Sequence, residues 1–150
     1  MTRINLIPAE DLADQHLAAE RREIKMVPAA LRRSLKTRKS GDILVDISKR
    51  YTLNTGHVKF FYPRMKFLTE RYKLLTAELL ARKYNLTDQS SDFTQFTIGI
   101  PSEFNHAEWE PTEEDKKVNI ERILLRISEK PEWYKYHGKK LESTFYERYE

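Results

Sequence analysis

Six prolines divide this chain into a few long stretches, and those stretches carry helical rather than strand periodicity. Pro8 suits the first turn of a helix, and Glu10 and Asp11 complement the positive end of its dipole. The pattern predicts a first helix from about 8 to 38, kinked or divided at Pro28. Residues 39–62 read as irregular or weakly extended, with turns at Lys39-Ser40-Gly41-Asp42 and Asn54-Thr55-Gly56. Pro63 opens a second helix to about Tyr84, where Leu68, Tyr72, Leu75 and Leu79 recur at helical spacing and Asn85 is a stop. Residues 86–111 form a polar loop long enough to imply function or irregular packing. Thr112 caps a third helix with Glu113, Glu114 and Asp115 in its first turn, Val118, Ile123, Leu124 and Ile127 on its apolar face, and Pro131 as its stop. No repeat, low-complexity run or linker interrupts the chain. The expectation is an all-α fold: one compact domain over residues 1–150, with three main helices and long irregular loops.

Composition removes several function classes. A chain of 150 residues can bury roughly two-thirds of its unfolded surface in one core. It has no Cys, which excludes disulfides, thiolate nucleophiles and Cys-ligated metals and points to a reducing, cytoplasmic setting. Four glycines disfavour a glycine-loop nucleotide fold. No apolar run approaches the roughly 20 residues of a membrane span. The opening MTRINLIPAEDLADQ has neither the apolar stretch nor the charge pattern of a signal or transit peptide.

The net charge of +4 conceals an asymmetry. Residues 21–40 hold eight bases and one acid, a local charge of +7, so the remainder sums to −3. A basic field in a mildly acidic protein suits a polyanionic partner, although a solvated helix face would look the same. On a helical wheel Leu12, Ala13, Leu17, Ile24, Val27 and Leu31 share one face, while Arg21, Arg22, Lys25, Arg32, Arg33, Lys36 and Lys39 gather opposite. The basic face is a candidate phosphate surface.

His16, Glu20 and Glu23 fall within the apolar face. Carboxylates are rarely buried without a partner. Either His16 and Glu20 satisfy each other, or the acids lie at an exposed edge, or a carboxylate is held in a semi-buried site where its protonation can be used. His57, His106 and His137 complete the histidines, and no close ligand spacing suggests a metal. No nucleophile elbow, Walker or kinase motif is present. The segment WYKYHGKK interleaves aromatic and basic residues, which suits stacking on bases beside phosphates and equally suits a tail docked on the core.

The segments MTRINL, DLADQHLAAERREI, GHVKFFYPRMKFL and PEWYKYHGK, in this order, resemble the pyrimidine-dimer DNA glycosylase family, the phage type of endonuclease V. The resemblance is dense over residues 1–24, 56–71 and 131–139, and weak over 32–54 and 86–112. It implies a three-helix domain whose N-terminal segment threads between the helices to reach the site. It also implies cleavage of the glycosidic bond of a cyclobutane pyrimidine dimer, strand scission by β-elimination, and a kinked duplex with a base flipped out opposite the lesion. By the same resemblance the nucleophile is the α-amine of Thr2 after removal of Met1, and the essential carboxylate is Glu23. Arg3, Gln15, His16, Arg22 and Arg122 match site- or DNA-contacting positions, and Arg126 replaces a base with a base. Lys25, Arg32 and Arg33, with Trp133, Tyr134, Lys135 and Tyr136 of the tail, complete the expected DNA surface. The expected partner is double-stranded DNA carrying ultraviolet photoproducts or abasic sites. The protein is expected to act as a monomer, with no cofactor, metal or membrane.

Relatives carry an aromatic at the place of Arg21, a Pro-Arg pair at Lys25-Met26 and a Tyr at His137, and residues 140–150 extend past the family's end. These departures bear on lesion preference and grip more than on Thr2 or Glu23. The same chemistry on another damaged base, or a non-catalytic DNA-binding protein of the same fold, would keep much of the pattern. Imine formation requires a free amine: near neutrality roughly a third of an α-amine is unprotonated, against about a thousandth of a lysine.

Overall fold

The computed structural model describes residues 3–105, 108–142 and 144–149. Helix dominates it, and the only strands among the described residues form one small hairpin. The fold is all-α.

The first long stretch divides earlier than Pro28. A 3₁₀ turn over Ala9–Asp11 follows Pro8, and α1 spans Asp14–Glu23 and α2 Met26–Leu35. The junction falls at Ile24-Lys25, four residues before the proline. Pro28 has no N–H for the Ile24 carbonyl, and its ring would strike that carbonyl in a continuous helix. The Ile24 oxygen accepts the Val27 N–H instead, at 3.2 Å. Pro28 then sits in the first turn of α2, where a missing donor costs nothing. The apolar face survives the break: Leu12, Ala13, Leu17, Ile24, Val27 and Leu31 are all fully buried.

Residues 39–62 are more helical than their composition suggests. Ser40–Val45 form α3, and His57–Phe60 form the short α4. The Asn54-Thr55-Gly56 turn is present, and Gly56 has φ +97°. A Cβ there would lie 2.7 Å from Ser48 Oγ, so both the angle and the space require glycine. This turn aims His57 into the interior.

Helix α5 spans Met65–Ala81 and buries Leu68, Tyr72, Leu75 and Leu79 as its spacing predicts. It ends at Ala81, four residues before Asn85. Lys83 takes φ +66° and donates to Leu80 O, while Tyr84 N–H returns to Leu79 O at 3.0 Å, a Schellman closure. Among its described residues, the loop 86–111 is pinned to the core by aromatic anchors. Phe93 and Phe104 are fully buried, and Trp109 lies edge-on to Phe60, Phe61 and Phe67. Helix α6, Glu113–Glu129, begins with a reciprocal capping box between Thr112 and Asp115. Its buried face runs through Asp115, Asn119, Ile120 and Ile123, with Val118, Leu124 and Ile127 at the flanks.

Beyond Pro131, strands β1 (Lys135–Tyr136) and β2 (Lys139–Lys140) pair antiparallel around His137 and Gly138, both at positive φ. Asp14 secures this hairpin by accepting the His137 and Gly138 N–H groups at 3.0 and 2.8 Å and the Arg82 guanidinium at 2.8 Å. The last segment folds back on the start of α1: Tyr146 is buried and its hydroxyl accepts the Ala13 N–H.

Candidate active site

The segment Ile4–Ile7 runs through the interior between α1, α5 and α6, and its backbone polar groups are met by side chains. Ile4 N–H donates to His57 Nε2 and Ile4 O accepts from the Tyr51 hydroxyl, both at 2.8 Å. Leu6 N–H donates to Asn119 Oδ1 at 2.7 Å, and Ile7 O accepts from Arg71 Nη1 at 2.6 Å. The Asn5 amide donates to Glu20 Oε1 at 3.0 Å and accepts from Asn119 at 2.8 Å. A buried segment outside any helix or sheet would otherwise leave these groups unsatisfied at about 1–3 kcal/mol each. This path delivers Arg3 to the mouth of a cavity.

That cavity has a volume of about 360 Å³. Arg3 and Asn5 line it from the N-terminal segment, and Gln15, His16, Ala19, Glu20 and Glu23 from α1. Arg122, Ile123 and Arg126 line it from α6, and Trp133 and Tyr134 from the tail. Clefts of about 590 and 740 Å³ lie along α6 and the tail, and the second is also lined by charged groups, but neither contains any of the expected site residues. Eight of the expected catalytic and DNA-contacting residues therefore meet here, Arg3, Gln15, His16, Glu23, Arg122, Arg126, Trp133 and Tyr134, together with Glu20 of the apolar-face acids. Thr2 lies outside the described residues, as does His106.

The cavity is electropositive around a single half-buried acid. Burial lowers the Arg3 guanidinium pKa, and the charges of Arg122 and Arg126 lower it further, while Glu23 opposes them. Burial, then Arg3 and Arg126, push His16 down to about 4, so its ring is neutral at physiological pH. The His16 ring lies 4.7 Å from that of Tyr134. His16 and Glu20 do not satisfy each other: Nδ1 of His16 has no hydrogen-bond partner among the described residues, and Glu20 is held by Arg71 at 2.7 and 3.0 Å. Glu20 is thus neutralised by its ion pair, whereas Glu23 faces the cavity at intermediate exposure.

The other expected DNA-contacting residues divide into two groups. Arg22, Lys25 and Arg33 are exposed on α1, the α1–α2 junction and α2. Arg22 and Lys25 border a separate cleft with Tyr72 and Phe96. Arg32 instead donates to the carbonyls of Phe96 and Ile98. Arg21 likewise donates to Thr76 Oγ1 at 2.9 Å and to Asp88 and Ser90 carbonyls at 2.7 and 3.1 Å. Part of the basic face therefore holds down the 86–100 loop. In the tail, Gln15 clamps the main chain by donating to Trp133 O at 3.0 Å and accepting Lys135 N–H at 2.9 Å. Trp133 is left 57% exposed at the cavity rim. The Lys135 ammonium donates to Glu132 O at 3.0 Å. Tyr136 lies under Arg82 and donates to Glu10 O at 2.7 Å, away from the cavity.

Sequence reasoning missed the wall residues Asn5, Ala19 and Ile123, and the supports Tyr51, His57, Arg71 and Asn119. Arg71 left a signal, because a base inside the Leu68–Leu75 apolar stripe needs a buried acid, and Glu20 is that acid. Asn119 left a similar one on α6. The arrangement can bind a polyanion at its mouth, stack a planar group at its rim, and present one carboxylate among cations. A family model described as pyrimidine dimer DNA glycosylase matches residues 1–92, the span that supplies Arg3, Gln15, His16, Glu20 and Glu23; α6 and the aromatic tail complete the cavity from outside it. With a match over more than half its length, the chain belongs to the pyrimidine dimer DNA glycosylase family.

Proposed function

We propose that this glycosylase works through the α-amine of Thr2 and couples base excision to strand cleavage. Supporting this reading is the shared cavity of Glu23 and Arg3, because Arg3 follows Thr2 directly in the chain. With Met1 removed, the unprotonated amine attacks C1′ of the damaged nucleotide's deoxyribose. The glycosidic electron pair leaves with the base, which takes up a proton. Opening of the sugar ring gives an imine between residue 2 and C1′. Loss of a C2′ proton then expels the 3′ phosphate by β-elimination, and water hydrolyses the imine to release the amine. Glu23 stabilises the cationic sugar and carries protons between the amine, the ring oxygen and C2′.

Arg3, Arg122 and Arg126 hold the flanking phosphates. Trp133 offers a face for stacking on an unpaired base. Arg22, Lys25 and Arg33 supply sequence-independent grip. The test is nicking of irradiated against unirradiated supercoiled DNA with a chelator present. Selective nicking that survives the chelator is expected. Failure to nick irradiated DNA, despite binding it, would leave a DNA-binding protein without this chemistry.

A further inference from the structure

Ile4 is gripped through both of its main-chain polar groups, and the grip lies two residues after Thr2. His57 Nε2 accepts its N–H at 2.8 Å, and the Tyr51 hydroxyl donates to its carbonyl at 2.8 Å. His57 is itself oriented, because Nδ1–H donates to Thr52 O at 2.7 Å. That bond leaves Nε2 without a proton and therefore an acceptor. The two rings also meet edge to face, with centroids 5.5 Å apart, and Phe61 closes on the far side of His57 at 5.4 Å. Gly56, at φ +97°, turns the chain so that His57 points inward. None of this machinery lines the cavity.

The redundancy is informative. Asn119 and Arg71 already satisfy Leu6 and Ile7, and Asn5 is tied to Glu20. Residues 5–7 are therefore held without His57 or Tyr51. Their added effect is to fix the two peptides that flank Ile4, Arg3–Ile4 and Ile4–Asn5, the next ones toward the N-terminus. Each residue spans at most roughly 3.6 Å of extended chain, so the terminal amine reaches little more than two such steps from this anchor.

We infer that His57 and Tyr51 are positioning residues for the reaction: by clamping the main chain on both sides of Ile4 they set the reach and direction of the N-terminal amine toward the sugar. This rests on the reading of that amine as the nucleophile. A displacement of about 1 Å at a reacting atom can cost on the order of a hundredfold in rate.

The test uses the full chain on abasic-site DNA and compares single-turnover cleavage at saturating enzyme with binding to a non-cleavable abasic analogue. Tyr51→Phe removes one hydroxyl and keeps the ring, so folding is preserved. Its single-turnover rate should fall roughly ten- to a hundredfold, with binding within about twofold of the parent. His57→Leu should lose as much, and His57→Gln, which restores an oxygen acceptor near Nε2, should recover most of it. A chain with an acetylated terminus serves as the reference for the amine itself. If the acetylated chain is inactive while Tyr51→Phe and His57→Leu both cleave at the parental rate, the clamp is overturned and the amine reading stands. If the acetylated chain cleaves normally, the amine reading fails and the inference falls with it. A lower melting temperature with an unchanged rate would mark both residues as structural only.

Discussion

Arg71 grips Glu20 with two nitrogens inside the protein, Nε to Oε2 at 2.7 Å and Nη2 to Oε1 at 3.0 Å, while its third nitrogen holds the carbonyl of Ile7. Both side chains are almost wholly shielded from water. The pair locks α1 to α5 and fixes the N-terminal segment beside them. Arg71→Met would strand the Glu20 carboxylate without its counter-charge. A loss of about 3–5 kcal/mol is expected. Urea unfolding checks it, and Arg71→Met combined with Glu20→Leu should recover part of the loss. A change below about 1 kcal/mol in the single variant would contradict the assignment.

Glu23 stands one turn further along the same helix with a different role. Glu23→Gln preserves size and removes both charge and base. Excision should drop by at least about a hundredfold, while affinity for dimer-containing DNA stays within a few-fold. Gel-based excision and a binding titration separate the two effects. Parental excision by this variant would make Glu23 a structural acid.

The basic face should divide experimentally as it does structurally. Neutralising Arg33 or Lys25, both exposed, should each lower the log–log salt slope of undamaged-duplex binding by roughly 0.9. Arg32→Ala should change the slope little, because its guanidinium is engaged by the loop carbonyls. Instead it should speed amide hydrogen exchange over residues 93–98. Equal slopes for the parent and the Arg33 variant would mean that α2 does not meet phosphates.

His16 and His57 are both held down to about 4, mainly by burial. In the unfolded chain they titrate near 6.5. Between those values the unfolded state binds more protons, so each depressed histidine contributes stability that is complete above about 6.5 and is lost as pH falls toward 4. The slope approaches about 1.4 kcal/mol per pH unit for each histidine within that window. Unfolding free energies measured from pH 7 to 4 should fall accordingly, and His57→Gln should flatten the curve. A pH-independent stability over that range would contradict the burial of both rings.

Much of the fold could be read from local chemistry. The α1–α2 apolar face, the α5 stripe and the Thr112 cap follow from spacing and one polar side chain. The break at Ile24 was harder, because the carbonyl excluded by Pro28 lies a turn upstream of it. Helix α3 and α4 were hidden by β-forming residues whose tertiary contacts override propensity. In the site, Glu23 was visible as an acid on an apolar helix face, whereas Arg3, Arg122 and Arg126 stood out only through the family resemblance. The clamp of His57 and Tyr51 on Ile4 was not, since it joins residues 53 and 47 positions apart and leaves no periodic trace. Arg21 and Arg32 looked like a phosphate surface because sequence shows charge and not the carbonyls that meet it.

If the backbone nitrogen of Thr2 forms the covalent bond to the sugar, the intermediate can be trapped. Borohydride added during turnover on dimer-containing or abasic DNA reduces an imine to a stable amine and leaves protein bound to DNA. Peptide mapping by mass spectrometry then locates the adduct. The account requires it on the α-nitrogen of residue 2, with none formed when Met1 is retained or the terminus is acetylated. An adduct on a lysine such as Lys25 or Lys135, or no adduct from a chain that binds abasic DNA tightly with a free terminus, would contradict it.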